Sequence, residues 1–147
     1  MSSWQHEFEL PPFSRGYHLI TDLVLDELLS NSERSAGFGL PQVGIFQLFI
    51  KHTSAALTIN ENADPDVRVD FESVFNHIVP ERLPFLVHTL EGPDDMPAHI
   101  KAAMVGQHVS IPITNSRLNL GTWQGIYLCE FRNRAAGRKL VATVIGG

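Results

Sequence analysis

The distribution of apolar and polar residues divides the chain into predicted strands and helices. Residues 4–10 alternate between apolar and polar side chains, and this period of two predicts a half-buried strand. Apolar residues recur at helical spacing over residues 17–30 and again over 65–79, which predicts two helices. Residues 31–39 contain serine, glycine and charge without any periodicity, so they predict a turn.

The remaining apolar segments predict mainly strands. The continuous apolar run over residues 43–50 predicts a buried strand, and three further segments are rich in Val, Ile, Leu and aromatic residues. Turn residues such as Gly121 separate these segments, which cover residues 107–113, 124–131 and 139–145.

Two helix starts are marked by acidic residues and proline. Asp64 is a candidate N-cap and Pro65 suits the first helical position, where its missing N–H needs no partner. Pro97 marks a second, short helix that Gly106 closes. The pattern as a whole predicts one α+β domain over residues 1–147: two layered sheets, antiparallel or mixed, covered by two longer helices and one short helix.

Composition narrows the class of protein. The chain has 147 residues, 44% of them hydrophobic and 18% charged, as in a globular domain. Its net charge of −5 argues against nonspecific binding of nucleic acid. No segment has the roughly 20 apolar residues that a membrane span needs, and the N-terminus lacks the features of a signal peptide. A single cysteine, Cys129, fits a reducing compartment and alternates with apolar residues as a core side chain would. We therefore expect a cytoplasmic protein.

The segment after the strand at residues 43–50 has the highest density of candidate chemistry. It carries His52, Thr53 and Ser54, and then Asn60 and Glu61, within ten residues. An unpaired buried polar group costs roughly 1–3 kcal/mol, so a ligand, a metal or water is expected to satisfy these groups. Hydrogen bonding to a ligand suits the two hydroxyls better than a nucleophilic role, since no G-x-S-x-G turn surrounds them. Ordinary loop and cap chemistry would also explain the amide and the carboxylate.

Three of the seven histidines stand out by their sequence context. His52 follows a predicted strand, His88 enters an acidic loop, and His99 lies in the first turns of the short helix. Three imidazoles that leave one position to water would form a zinc site of the catalytic type. Their spacing of 36 and 11 residues matches no local ligand motif, so separate surface histidines remain the alternative from spacing alone.

Several other residues are candidates for a site, each with a simpler explanation. Asp95 could orient a histidine ring or merely cap a helix. Trp123, between glycines and before Gln124, could form a pocket wall or lie in the core. Arg68 and Arg117 could each bind phosphate, although most such arginines are solvated surface residues.

Three blocks together resemble the YjbQ family, the so-called secondary thiamine-phosphate synthases. The blocks are HTSAALTINENADP at residues 52–65, EGPDDMPAHIK at 91–101 and GTWQG at 121–125, and the likeness extends from about Trp4 to the C-terminus. The resemblance implies a β-sandwich-like α+β domain that assembles as a homotrimer. It also implies a metal-associated pocket at the positions that match the family's histidines, which are His52, His88 and His99.

The family label implies a reaction that joins hydroxymethylpyrimidine pyrophosphate to thiazole phosphate and releases pyrophosphate. Such chemistry needs charge stabilisation on the leaving group and an aromatic wall for planar rings. We expect a small phosphorylated or heteroaromatic substrate and a divalent metal, with zinc favoured by imidazole ligands and magnesium as the alternative. The expected catalytic residues are Asn60, Glu61, Ser54 and Asp95, and the expected substrate-binding residues are Trp123, Gln124, Thr53, Arg117 and Arg68.

Two other functions fit the same residues. The chain could be a non-catalytic trimeric module that binds a metal or a metabolite. It could also be a zinc-dependent hydrolase in which Glu61 or Asp95 serves as the base. The sequence does not choose among the three functions.

Overall fold

A computed structural model describes residues 2–34 and 39–147, which form an α+β fold. Eight strands and three helices follow one another along this described part of the chain. Their order and bounds are β1 (Ser2–Leu10), β2 (Gly16–Leu19), α1 (Thr21–Arg34), β3 (Val43–Ile50), β4 (Ala55–Glu61), α2 (Pro65–Ile78), α3 (Asp95–Val105), β5 (His108–Thr114), β6 (Arg117–Leu118), β7 (Gln124–Glu130) and β8 (Arg138–Gly146).

The strands form two antiparallel sheets. The larger sheet has the order β1-β8-β3-β5-β6, and the smaller one has the order β2-β7-β4. The inward side chains of both sheets build one core, which includes Phe46, Leu48, Leu57 and Leu128. The apolar face of α1 closes this core. The predicted β-sandwich-like α+β architecture is therefore confirmed, and both sheets are antiparallel.

The outer face of the smaller sheet carries a second apolar cluster. It contains Tyr17, Tyr127, Cys129 and Phe131, with partly buried side chains of α2 and α3 packed against it. Cys129 is fully buried, so its predicted core position is confirmed. Successive side chains of β7 therefore pack alternately into the main core and into this second cluster, because side chains alternate between the faces of a sheet.

Helices α2 and α3 begin close to the predicted residues. The Asp64 carboxylate accepts a hydrogen bond from the Asp66 N–H at 2.9 Å, and Pro65 occupies the first turn, so the predicted cap of α2 is confirmed. Helix α3 begins at Asp95, two residues before Pro97, and ends at Gly106, which has a positive φ of 115°. The start of α3 thus brings an additional carboxylate into its first turn.

Two predictions of secondary structure are wrong, and one strand was not predicted. The helix predicted over residues 17–30 begins only at Thr21, because residues 16–19 pair with β7 as a strand. The same helix continues to Arg34, so residues 31–34 are helical rather than a turn, and residues 35–38 lie outside the described residues. The polar segment around Asn60 forms β4, a strand of the smaller sheet that periodicity did not indicate. Pairing with β7 overrides the local preference in both strands.

Strand β3 is half-buried rather than buried. Val43, Ile45 and Phe49 are 68%, 56% and 40% exposed, while the alternate residues point into the core. The apolar outward residues therefore lie on the uncovered face of the larger sheet. No helix in the described part of the chain is long and apolar enough to span a membrane.

Candidate metal centre

Two of the predicted histidines meet a carboxylate at the start of α3. His88 lies in the loop between α2 and α3, Asp95 is the first residue of α3, and His99 follows one helical turn later. One potential ligand atom from each residue lies within 4.8 Å of the other two. The i, i+4 spacing places Asp95 and His99 on the same face of the helix, and the loop returns His88 to that face.

Asp95 is the hub of this cluster, which we call the His-His-Asp centre (His88, Asp95 and His99). Its Oδ2 atom lies 2.7 Å from His88 Nε2 and 3.2 Å from His99 Nε2. Its Oδ1 atom accepts a hydrogen bond from Arg132 Nη1 at 2.5 Å, and the side chain is 1% exposed. Burial alone would raise the pKa of Asp95, but the hydrogen bond from His88 and the charges of Arg132 and His99 outweigh burial and lower it. The carboxylate is therefore ionised at neutral pH.

Arg132 also fixes the neighbouring carboxylate. Its Nε atom donates to Asp94 Oδ2 at 2.9 Å, and the Asn133 N–H donates to the same oxygen at 2.9 Å. Burial acts to raise the pKa of Asp94, but these two hydrogen bonds outweigh it and lower the pKa. Two buried carboxylates thus face one guanidinium, so the centre has an excess of negative charge that suits a cation.

The hydrogen bonding of His99 fits a metal ligand. Its Nδ1 atom lies 3.0 Å from the Thr53 carbonyl oxygen, which can only accept, so Nδ1 carries the proton. In the neutral ring, Nε2 then presents a lone pair toward the Asp95 oxygen at 3.2 Å. Two acceptors in that position require a proton or a metal ion between them. A backbone carbonyl that orients the second ring nitrogen is also typical of metal-binding histidines.

His52 lies outside this cluster. Its Nε2 atom accepts a hydrogen bond from the Lys139 N–H at 2.8 Å. Burial and the positive charge of Arg138 lower the pKa of His52, so the ring is neutral and its proton is on Nδ1. His52, Thr53 and His99 nevertheless line one cavity of about 260 Å³. Within the described residues, His52 therefore lies beside the His-His-Asp centre, and Asp95 rather than His52 is the third residue of the cluster.

Ser54 belongs to a buried ion pair beside the centre. Its Oγ atom accepts a hydrogen bond from Arg138 Nη2 at 3.1 Å, and the residue is 8% exposed. Arg138 also makes two hydrogen bonds with Glu130, at 2.7 Å from Nε and 2.6 Å from Nη2. Glu130 and Arg138 come from different sheets and therefore connect them at one end of the core. We assign Ser54 to this pair rather than to catalysis.

Other predicted site residues lie at the opposite end of β4. Asn60 Oδ1 accepts from the Glu61 N–H at 2.8 Å, and Glu61 Oε2 accepts from the Asp64 N–H at 3.1 Å. Gln124 pairs with Glu61 across the sheet. At about 3.3 Å per residue, the five steps from Ala55 to Asn60 alone span roughly 17 Å. One chain therefore does not bring these residues to the His-His-Asp centre.

The remaining predicted binding residues are also dispersed. Trp123 is 64% exposed, which excludes the alternative of a core tryptophan. Arg117 lies in the β5–β6 hairpin at the edge of the larger sheet, beside a cavity of about 460 Å³. Arg68 lies on α2, where its charge opposes the rise that burial causes in the pKa of Tyr127.

Sequence reasoning missed several charged residues that organise the site. Arg132 and Arg138 appear in the sequence only as members of a basic C-terminal stretch, and nothing local identifies their partners. Lys101 is 1% exposed, lies 5.9 Å from the centroid of the Phe131 ring, and donates to Asn76 Oδ1 at 2.6 Å. The sequence signal for the burial of Lys101 was its position between the apolar residues Ala98 and Ala102 of α3.

Comparison with known proteins confirms the likeness to the YjbQ family along nearly the whole chain. The family model described as UPF0047 protein YjbQ-like matches residues 6–147. The UPF0047 protein YjbQ of Salmonella typhimurium is 44% identical over 145 residues, which cover 97% of this chain and 98% of that protein. The UPF0047 protein YugU of Bacillus subtilis is 40% identical over 110 residues, covering 72% of this chain and 80% of that protein.

Solved structures have the same fold. A crystal structure of a YjbQ/UPF0047 family protein from Clostridium acetobutylicum is 34% identical, with a TM-score of 0.77, and the match covers 95% of this chain and 99% of that one. A YjbQ-like protein from Sulfolobus solfataricus is 21% identical with a TM-score of 0.80, over 99% of both chains, and shows the likeness of fold alone.

Proposed function

This chain belongs to the UPF0047 YjbQ-like family, and we propose that it is an enzyme that depends on a divalent metal held by the His-His-Asp centre. One observation carries the proposal: an imidazole from the loop before α3 and an imidazole and an ionised carboxylate from α3 place their ligand atoms within 4.8 Å of one another. Separate surface histidines would not need a shared, buried carboxylate.

The donor set favours zinc over magnesium. Two imidazole nitrogens and one carboxylate oxygen match the three-ligand catalytic zinc sites, which leave a fourth position for water or substrate. Magnesium prefers oxygen ligands and retains several waters. His88 is the most open of the three side chains, at 47% exposed, so a substrate can approach from the loop side. A bound zinc ion would supply a Lewis acid that stabilises negative charge on phosphate oxygens.

The protein's own residues hold the centre in one arrangement. The Thr53 carbonyl fixes the tautomer of His99, and Arg132 holds the Asp95 and Asp94 carboxylates in place. We assign His52, which lines the adjoining cavity and carries its proton on Nδ1, as a donor to a substrate oxygen. These contacts keep the ligands oriented before a substrate binds, which is the main contribution of a protein to such a site.

We extend the proposal to the reaction that the family resemblance implies, the formation of thiamine phosphate from hydroxymethylpyrimidine pyrophosphate and thiazole phosphate. Pyrophosphate departure requires positive charge near the leaving oxygens, and the centre together with its open side can provide that charge. A zinc-dependent hydrolase is the second candidate, because an open His-His-Asp centre also suits activation of water. In that case Asp95 would be a metal ligand rather than the general base. Glu61 lies at the far end of β4, too distant from the His-His-Asp centre to be the base.

A set of histidine variants tests the proposal. His88→Ala and His99→Ala should each lower thiamine-phosphate formation at least about 100-fold, because each removes one ligand. His77→Ala is the matched control, since His77 is exposed in the last turn of α2. Removal of metal by a chelator should abolish activity in the wild type, and zinc should restore it. Undiminished turnover in both ligand variants would refute the enzymatic role, whereas zinc-restored hydrolysis of phosphate esters without thiamine phosphate would favour the hydrolase.

Assembly as a homotrimer is a further part of the proposal. The uncovered face of the larger sheet carries four exposed apolar residues, Val43, Ile45, Phe49 and Ile145, and Ile45 lies directly opposite Ile145 in the β3–β8 pairing. A contiguous apolar patch of this kind is typical of an interaction surface. Light scattering should give three times the 16.4 kDa chain mass, and Ile45→Lys should lower it, while Val69→Lys, at an exposed apolar residue of α2, serves as a control. A non-catalytic trimeric module would show the same mass without turnover. The single cysteine supports the cytoplasm as the location of this assembly.

A further inference from the structure

A cavity opens on the loop side of the His-His-Asp centre. It has a volume of about 320 Å³, which is in the size range of small-molecule sites. Most of its wall is apolar, and His88 forms part of that wall. The residues that line it are Arg82, Leu83, Leu86, His88, Thr89, Gly92, Pro93, Met96 and Pro97.

Arg82 is the charged residue of this lining apart from the histidine. Its side chain is exposed, and it makes no hydrogen bond or ion pair with any residue in the described part of the chain. By contrast, Arg15, Arg132 and Arg138 all hold carboxylates. A guanidinium without a protein partner, at the wall of an apolar cavity, is available to bind an anion from solution.

The backbone of Arg82 is also strained. Its φ is +61°, in the left-handed region where a side chain costs about 1–2 kcal/mol. Arg82 is one of three non-glycine residues with positive φ in the described part of the chain, and the other two, Asn115 and Ser116, form the tight β5–β6 hairpin. A glycine would adopt this conformation without strain. Strain that persists at the wall of a candidate site is typical of a functional position.

From this arrangement we infer that the cavity binds one substrate of the proposed metal centre, a small molecule with an apolar body and one terminal phosphate or phosphonate-like anion. The anion lies between Arg82 and the metal side of His88. The apolar body packs on Leu83, Leu86 and Met96. The inference rests on the proposed function for the presence of a metal, and it adds the cavity that holds this substrate, the orientation of the ligand and the role of Arg82.

Charge complementarity supports a single anionic group. Without metal, the carboxylates of Asp94 and Asp95 outnumber the guanidinium of Arg132 and disfavour an anion. A divalent cation reverses the sign of the local charge, and Arg82 adds to it. Anion binding should therefore be stronger when metal is present.

The probe that tests the inference is benzylphosphonate, which has an apolar ring and an anion and cannot be hydrolysed. Isothermal titration with the zinc-loaded protein should show binding that is at least about 10-fold tighter than that of inorganic phosphate or benzyl alcohol, because each of these lacks one part. Arg82→Gln should weaken benzylphosphonate binding about 10-fold or more, since a hydrogen bond to a charged group is lost. Arg82→Lys should weaken it less. Arg134→Gln, at an exposed arginine outside the lining, should leave it unchanged.

Arg82→Gly provides a second, opposite readout. It should raise the melting temperature by roughly 2–4 °C, because the left-handed strain is removed, while it weakens benzylphosphonate binding as much as Arg82→Gln does. A variant that folds better and binds worse is not explained by damage to the fold. Equal affinity of the wild type, Arg82→Gln and Arg82→Gly for benzylphosphonate would overturn the inference.

The outcomes for zinc and for the anion are separable. If zinc binds and the Arg82 variants retain full affinity for benzylphosphonate, the inference fails while the proposed metal centre stands. If zinc does not bind, the proposed function fails, and the role of Arg82 is then decided by the same comparison on the metal-free protein at millimolar benzylphosphonate.

Discussion

Replacement of Arg138 by methionine should destabilise the fold more than any loss of a surface ion pair. Arg138 and Glu130 make a bidentate pair at 2.7 and 2.6 Å, and their side chains are 9% and 0% exposed. Methionine fills a similar volume but leaves the Glu130 carboxylate buried without its partner. Removal of one member of a buried pair costs about 3–5 kcal/mol.

The pair also joins the two sheets, so the loss should affect the whole domain. For a chain of this length, about 3–5 kcal/mol corresponds to a fall in melting temperature of roughly 10 °C. Glu130→Gln should cost less, because the amide oxygen can still accept a hydrogen bond from the Arg138 guanidinium, which also keeps Ser54 Oγ as an acceptor. The double variant Glu130→Gln/Arg138→Met should be more stable than Arg138→Met alone, since no buried charge remains.

Urea unfolding followed by circular dichroism measures these differences in the free energy of unfolding. Lys51→Met is a matched control, because Lys51 pairs with Glu7 at 2.8 Å on the surface, where both side chains are about half exposed. That change should cost less than about 1 kcal/mol. The reasoning is refuted if Arg138→Met costs no more than Lys51→Met, or if the double variant is less stable than Arg138→Met.

Three further predictions concern particular buried positions. Tyr17→Phe should leave stability unchanged or raise it by about 1 kcal/mol in urea unfolding, because the buried hydroxyl has no hydrogen-bond partner among residues 2–34 and 39–147. Burial raises the pKa of Tyr17 above the ordinary 10.0, so stability should fall as the pH rises through 10, and Tyr17→Phe should reduce that fall. Burial also raises the pKa of the Cys129 thiol, so iodoacetamide at pH 8 should label it in urea but not in the folded protein; labelling of the native state would contradict its placement. Gly44→Ala should lower the free energy of unfolding by about 1–3 kcal/mol, because a Cβ there would collide with the Ile145 carbonyl oxygen, whereas Gly39→Ala, which has open space, is the control.

Much of the fold was predictable because it follows from local periodicity. The alternation over β1 and the helical spacing of α2, with Asp64 as its cap, are properties of neighbouring residues. Strand β2 was not predictable in this way, because its four residues continue the apolar spacing of α1, and only pairing with β7 makes them extended. The exposed apolar side chains of β3 also escaped prediction, since periodicity cannot show which face of a sheet remains uncovered.

The candidate site was predictable only in part. The resemblance identified His88 and His99, but it also grouped them with His52 and Asn60. His52 precedes β4 and Asn60 lies near the end of that strand, so a strand that rises about 3.3 Å per residue separates the two. Asp95 was expected to act on substrate or to orient a histidine, whereas its central position in the cluster depends on how the loop before α3 returns. The contact of Arg132 with Asp95 joins residues 37 positions apart, so no local pattern could reveal it.

The most direct test of the metal centre is a crystal of the zinc-loaded protein measured above and below the zinc absorption edge. The anomalous difference map should show one strong peak bounded by His88, His99 and Asp95, and the peak should disappear in His99→Ala. The absence of any peak at saturating zinc, or a peak held by other residues while these three remain hydrogen-bonded to one another, would contradict the assignment of this cluster as a metal centre.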